Sequence, residues 1–243
     1  MQNSCSSQHR VKLPARPQDK IIIALDVPDT AGALRLLDSL GEPPTICKIG
    51  LELFTSEGPS VVKAVHERGS AVFLDLKFHD IPNTVASAVR SAGDLGVAMT
   101  TLHGSGGPLM LEAAAQAAGS SDLLLLAVTV LTSMDASQLS ITGITSDPES
   151  QVLRLAGLAA TTGIGGIVCS PLEISAVRSS FGEKLRIVTP GVRPTWAQAD
   201  DQKRVMTPSE AVIAGADWLV VGRPITAAVN PKEAFSRILT ELQ

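Results

Sequence analysis

Eight times after residue 20 the chain passes from a short apolar run, often β-branched, toward a longer segment with helical periodicity. The short runs lie at residues 21–26, 45–49, 71–77, 97–102, 123–130, 166–169, 186–189 and 218–222. Amphipathic segments at 31–40, 59–68, 84–95, 109–118, 149–161, 172–181 and 208–214 alternate with them. Near-continuous apolar runs are what strands covered on both faces of a parallel sheet require. Eight such alternations in 243 residues predict one α/β architecture, a single-domain (β/α)8 TIM barrel, over an open doubly wound sheet. No internal repeat argues for a solenoid or a propeller. The barrel domain is assigned to 20–243, and the polar stretch 1–19, with Pro14 and Pro17, is read as a flexible tail. That tail lacks the apolar stretch of a signal peptide, and nowhere does the chain reach the ~20 apolar residues of a membrane helix.

Composition narrows the function classes. A chain that is 44% hydrophobic suits one large core. Its net charge is −4 and no basic block occurs, which gives a nucleic acid or an anionic membrane no footing. With 3% aromatics and no Tyr, a base-stacking surface is excluded as well. Cys5, Cys47 and Cys169 are scattered, as are His9, His66, His79 and His103, and neither set has metal-ligand spacing. The expectation is no metal, no organic cofactor and a reduced, cytoplasmic compartment.

In a (β/α)8 barrel the chemistry comes from the C-terminal ends of the strands. The third run ends Phe73-Leu74-Asp75-Leu76-Lys77, and strand alternation puts Phe73, Asp75 and Lys77 on one face with Leu74 and Leu76 on the other. Asp80 follows three residues later, and Pro82-Asn83-Thr84 offers a turn and a helix start. Two readings fit these residues: a solvated Asp–Lys pair worth under ~1 kcal/mol, or a site.

The other strand ends bear on the choice. Lys48 stands between apolar neighbours in the second run and needs a partner or a polar pocket. Asp26 closes the first run, where an N-cap role competes with a ligand role. His103, before a glycine-rich turn, is read as a hydrogen-bonded structural residue, and Thr132 and Ser133 follow the fifth run as caps or ligands. After the seventh run comes Pro190-Gly191-Val192-Arg193-Pro194, and after the eighth Gly222-Arg223-Pro224. Barrels often bind phosphate between these two loops: Gly222 permits close backbone approach and Arg223 a bidentate clamp. The long polar segment 196–204 suits a lid.

The string D-x-K-x-x-D-I-P-N-T at 75–84 resembles the signature of the orotidine 5′-phosphate decarboxylase family. The resemblance extends from Lys20 to the C-terminus through V-T-V-L-T-S, P-G-V-R-P, D-Q-x-R-V-M-T-P and V-V-G-R-P-I-T, in order. It implies a cofactor-independent decarboxylase that makes UMP. Lys77 is then the proton donor to C6, Asp75 sits beside the departing carboxylate, and Lys48 and Asp80 complete the charged array. Asp26 binds the ribose, Thr132 and Ser133 face the nucleotide, and Gln202 of the lid holds the phosphate with Arg223, Gly222 and Arg193. Where the family's lid reads G-D-Q-x-R, this chain has Asp200 in place of the Gly. The resemblance also implies a homodimer in which Asp80, Ile81 and Thr84 complete the neighbouring subunit's site. Two alternatives are a metal-dependent phosphosugar decarboxylase or epimerase of related fold and a non-catalytic phosphate-binding barrel. The intact I-P-N-T string and Gln202 speak against the first, and the four retained charges against the second.

Overall fold

Apolar strands at short intervals along the chain pair in sequence order. The computed structural model describes residues 13–197 and 206–243. Its strands are β1 (Ile21–Ala24), β2 (Ile46–Ile49), β3 (Ala71–Phe78), β4 (Met99–His103), β5 (Leu124–Val128), β6 (Gly166–Val168), β7 (Arg186–Pro190) and β8 (Trp218–Val221). Each is parallel to the next, and β8 pairs with β1 to close the barrel. The expected (β/α)8 architecture is the observed one.

Period-two alternation divides the core into two shells. Ile22, Ala24, Ile46, Phe73, Met99, Leu126, Val188 and Trp218 fill the barrel interior. Their neighbours Ile21, Ile23, Cys47, Val72, Leu74 and Leu219 face outward against the helices. Residues in both shells are almost wholly removed from water, and each large side chain contributes roughly 1.5–3 kcal/mol.

The helices start where the sequence supplies caps. Asp29 accepts from Gly32 N ahead of Thr30–Ser39, Asp147 from Ser150 N ahead of Pro148–Thr161, and Thr207 forms a capping box with Glu210 ahead of Pro208–Ala214. The segment expected as one helix at 59–68 is preceded by another, Leu51–Glu57, which ends at Gly58 with φ 64°, and the second begins at Ser60–Glu67. The short helix Arg223–Thr226 carries Pro224 in its first turn, and helices Ala136–Ile141 and Pro231–Glu241 add to those expected. Both additions carry legible signals, the Asp135–Gln138 capping box and the Asn230 cap before Pro231. Of the expected tail, residues 1–12 lie outside the described residues. Pro17–Lys20 forms a helical turn, and Asp19 accepts from Thr45 Oγ1 at the mouth of β2.

Candidate active site

The site begins with an irregularity in β3. Its pairing with β2 is unbroken, but against β4 the register runs from Leu74↔Thr100 directly to Phe78↔Leu102. Residues 75, 76 and 77 therefore stand opposite the single residue Thr101. Lys77 takes φ 54°, and among the described residues it alone is a non-glycine in the left-handed region. Such a conformation costs about 1–3 kcal/mol and persists only where surrounding contacts hold it. Here it curls the side chain back: Lys77 Nζ donates to both oxygens of Asp75, at 2.9 Å each. The expected alternation survives the bulge, since Phe73, Asp75 and Lys77 all line one cavity.

That cavity, about 240 Å³, opens at the C-terminal rim of the barrel. Lys48 from β2 joins Asp75 and Lys77 on one wall; Val130, Leu131, Thr132 and Ser133 form another; Phe73, Val128, Val168 and Val220 make an apolar floor. Lys48 Nζ donates to Asp26 Oδ1 at 2.8 Å. The Lys48 side chain is 12% exposed and that of Asp26 58%, so the lysine belongs to the cavity and the carboxylate to its lip. Gly50 makes this reach feasible: a Cβ there would lie 2.9 Å from Lys48 Nζ. Gly222 borders the same lip, where a Cβ would stand 3.5 Å from Asp26 Oδ2. Against an apolar floor these charges act through a lower dielectric than water, which strengthens their field on a bound group.

The two arginines expected at the phosphate loops come together in a second cavity of about 300 Å³, lined by Arg193, Trp196, Ala197, Arg223, Pro224, Ala227 and Ala228. Arg193 is buried and donates from Nη1 to Val192 O, while Arg223 is exposed. The feet of the expected lid are anchored. Trp196 Nε1 donates to Glu241 Oε1 at 3.0 Å beneath the Arg237 guanidinium, and Arg193 N donates to Met206 O at 2.9 Å. Gln202 and Asp200 lie outside the described residues.

Of the expected four-charge array, Lys48, Asp75 and Lys77 meet and Asp80 does not. Asp80 is exposed beyond the strand end, accepting from Ile81 N at 2.6 Å, and Ile81 and Thr84 are exposed beside it. Lys48 is paired with Asp26, whereas Lys77 takes Asp75. His103 departs from expectation: among the described residues its side-chain contact is the ring of His79, 5.2 Å between centroids, and not a hydrogen bond. Its partly buried position lowers its pKa, helped by His79 and Lys77 against the pull of Asp75.

Two groups beside the charged residues carried no assignment from sequence. Cys169, at the end of β6, borders the main cavity. Thr101, fully buried on the inner face of β4 between Met99 and His103, touches both Asp75 and Lys77. The alternation that placed Asp75 inward would have placed Thr101 inward too.

A closed α/β barrel with a charged cavity at the C-terminal rim of its strands defines a barrel enzyme whose chemistry sits at its strand ends and the loops that follow them. Residues 19–238 match the family model described as orotidine 5′-phosphate decarboxylase / HUMPS family, and the chain belongs to that family. It is 51% identical over 232 residues to a Nostoc protein named orotidine 5′-phosphate decarboxylase, covering 92% of this chain and 97% of that one. A Haemophilus influenzae protein of the same name is 52% identical over 224 residues, covering 90% and 96%. The crystal structure of orotidine 5′-phosphate decarboxylase from Lactobacillus acidophilus superposes with a TM-score of 0.81 at 38% identity, covering 92% of this chain and 98% of that one.

Proposed function

We propose that this chain decarboxylates orotidine 5′-phosphate to UMP and CO2, the last step of de novo pyrimidine biosynthesis, as a cytoplasmic enzyme without metal or cofactor. The observation that carries the reading is the Lys77 ammonium held by both oxygens of Asp75 in a cavity shared with Lys48, Thr132 and Ser133. Loss of the C6 carboxylate leaves a carbanion with no adjacent carbonyl to absorb it as a simple enolate. Fixed charge must take its place. One ammonium about 4 Å away supplies ~4 kcal/mol at an effective dielectric near 20, short of the ~8–23 kcal/mol enzymes typically provide. Binding at the remote phosphate supplements it, spent on aligning the array. Lys77 delivers the proton to C6; Asp75 lies beside the departing carboxylate; Lys48 holds the charged network in register and Asp26 binds the ribose. Arg193, Gly222 and Arg223 take the phosphate, in line with the meeting of both arginines at one cavity.

The exposed position of Asp80, away from its own barrel's cavity, supports a shared site. In this reading Asp80, Ile81 and Thr84 complete the pocket of a second copy in an isologous homodimer, where each chain both gives and receives an Asp80. Mixing two inactive variants tests it: Lys77→Ala with Asp80→Ala, under subunit exchange. Random pairing makes about half the dimers mixed, each with one intact site in two, so roughly a quarter of wild-type activity returns. A mixture that stays inactive overturns the shared site.

The activity itself is read from the loss of orotidine 5′-phosphate absorbance with purified protein in excess EDTA. Full turnover is expected. Activity that only Mg2+ restores sends the reading to the metal-dependent phosphosugar class, and a protein inactive with and without Mg2+ sends it to the non-catalytic phosphate-binding barrel.

A further inference from the structure

Thr101 is the one residue of β4 that faces the irregular stretch of β3. Between the pairs Leu74↔Thr100 and Phe78↔Leu102, three residues of β3 have only this one across from them. Ladder bonds cannot serve that stretch, and a side chain does instead. Thr101 Oγ1 accepts from Lys77 N at 2.9 Å and donates to Asp75 Oδ1 at 2.9 Å. Its single O–H is thereby committed to the carboxylate and a lone pair to the amide. Resting on the decarboxylase reading, we infer that Thr101 is a positioning residue: its hydroxyl fixes the left-handed turn at Lys77 and the rotation of the Asp75 carboxylate in one contact. Both ends of the pair are then set by a group that is 0% exposed and carried on a neighbouring strand.

The carboxylate shows why orientation needs a third group. Lys77 Nζ is equidistant from the two Asp75 oxygens at 2.9 Å, so the ammonium alone gives neither oxygen preference and leaves the plane free to rock with the lysine. The bond from Thr101 picks out Oδ1 and removes that freedom. Because the same oxygen atom of Thr101 holds the Lys77 amide, carboxylate and lysine backbone cannot drift independently. Misplacement by about 1 Å is enough to cost on the order of 100-fold in rate. Ground-state binding, drawn from the arginine cavity and the ribose contacts, does not pass through Thr101.

The test compares Thr101→Val, which keeps the shape and removes the hydroxyl, with Thr101→Ser, which keeps the hydroxyl. Steady-state decarboxylation of orotidine 5′-phosphate should give a kcat for Thr101→Val lower by roughly 10- to 100-fold with KM within about threefold. Thr101→Ser should recover kcat to within about threefold of wild type. Thr101→Cys, the size of Ser but with a weak donor and acceptor, should fall with Val and stands in for it should Val fail to fold. Amide hydrogen exchange at Lys77 supplies a readout independent of turnover: protected in wild type and Ser, faster in Val and Cys. An active wild type whose Val and Cys variants retain more than half of kcat overturns the positioning role alone. So does a Ser variant as impaired as Val. A wild type inactive on this substrate overturns the decarboxylase reading and, with it, the role drawn from it, whatever the exchange data show.

Discussion

The two ends of the barrel use the same kinds of charge to opposite purposes. At the N-terminal end, Arg178 donates from Nε to Gly215 O at 2.7 Å, from Nη1 to the carbonyls of Gly182 and Leu185, and from Nη2 to Asp217. Asp217 in turn accepts from Ile187 N at 2.7 Å and from Arg186. Cation and anion are tied to the backbone that starts β7 and β8, and the guanidinium fork is consumed within the fold. In the main cavity of the C-terminal rim the cations are lysines, each met by one carboxylate. A compact ammonium with three rotatable donors keeps capacity for a ligand, whereas a guanidinium fixed by four acceptors does not. One end spends its charges on holding strands in place; the other holds them ready at a surface.

Removing a charge from each end separates these purposes. Lys77→Ala should lower kcat by about 10⁴-fold or more, since it deletes both the proton donor and the nearest positive charge. Its melting temperature should stay within about 3 °C of wild type, because the Asp75 carboxylate left behind keeps its bond from Thr101 Oγ1 and faces a cavity that water can enter. UMP should still bind. Asp217→Ala should do the reverse. It leaves the Arg178 guanidinium and Ile187 N without their carboxylate in a side chain environment only 12–14% exposed, a change that costs about 3 kcal/mol. For a domain of this size that is a fall of roughly 6–12 °C in melting temperature, with kcat at 25 °C unchanged within about twofold. A tenth of wild-type kcat remaining in Lys77→Ala would remove the proton-donor role. A large loss of kcat in a folded Asp217→Ala would mean that the two ends are coupled.

The same contrast explains what the sequence made legible. Strand runs and their order are local patterns of apolar residues, so all eight strands and the closed barrel followed from them. Asp75 and Lys77 were placed on one inward face by alternation alone, and Lys48 by the cost of burying an ammonium. The choice of partners was not local. Nothing in the run 45–49 says that Lys48 takes Asp26, a contact between adjacent strands that needs the β1–β2 register and the space left by Gly50. The left-handed turn at Lys77 was likewise invisible, because it depends on Thr101 standing opposite three residues of β3. Helix Leu51–Glu57 was overlooked since it is short and starts at Gly50, which offers no side-chain cap. His103 was expected to hydrogen-bond, yet its neighbour on the folded chain is another histidine ring.

That histidine gives the smallest and most selective perturbation of the rim. Burial holds the His103 pKa below its ordinary value of 6.5, His79 and Lys77 push it the same way, and Asp75 opposes them. A histidine whose folded pKa is depressed binds its proton more readily in the unfolded chain. Its contribution to stability is therefore complete above pH 6.5 and is lost as pH falls through the window below it. Among the described residues no histidine belongs to the Arg178–Asp217–Arg186 cluster at the other end, so acid in this range should weaken the rim first. Melting curves at pH 7.5 and pH 5 should show a steeper loss for wild type than for His103→Gln, by no more than about 2 °C because the ring is partly exposed and screened. Identical acid slopes for wild type and His103→Gln would show that the ring's protonation is not felt by the fold.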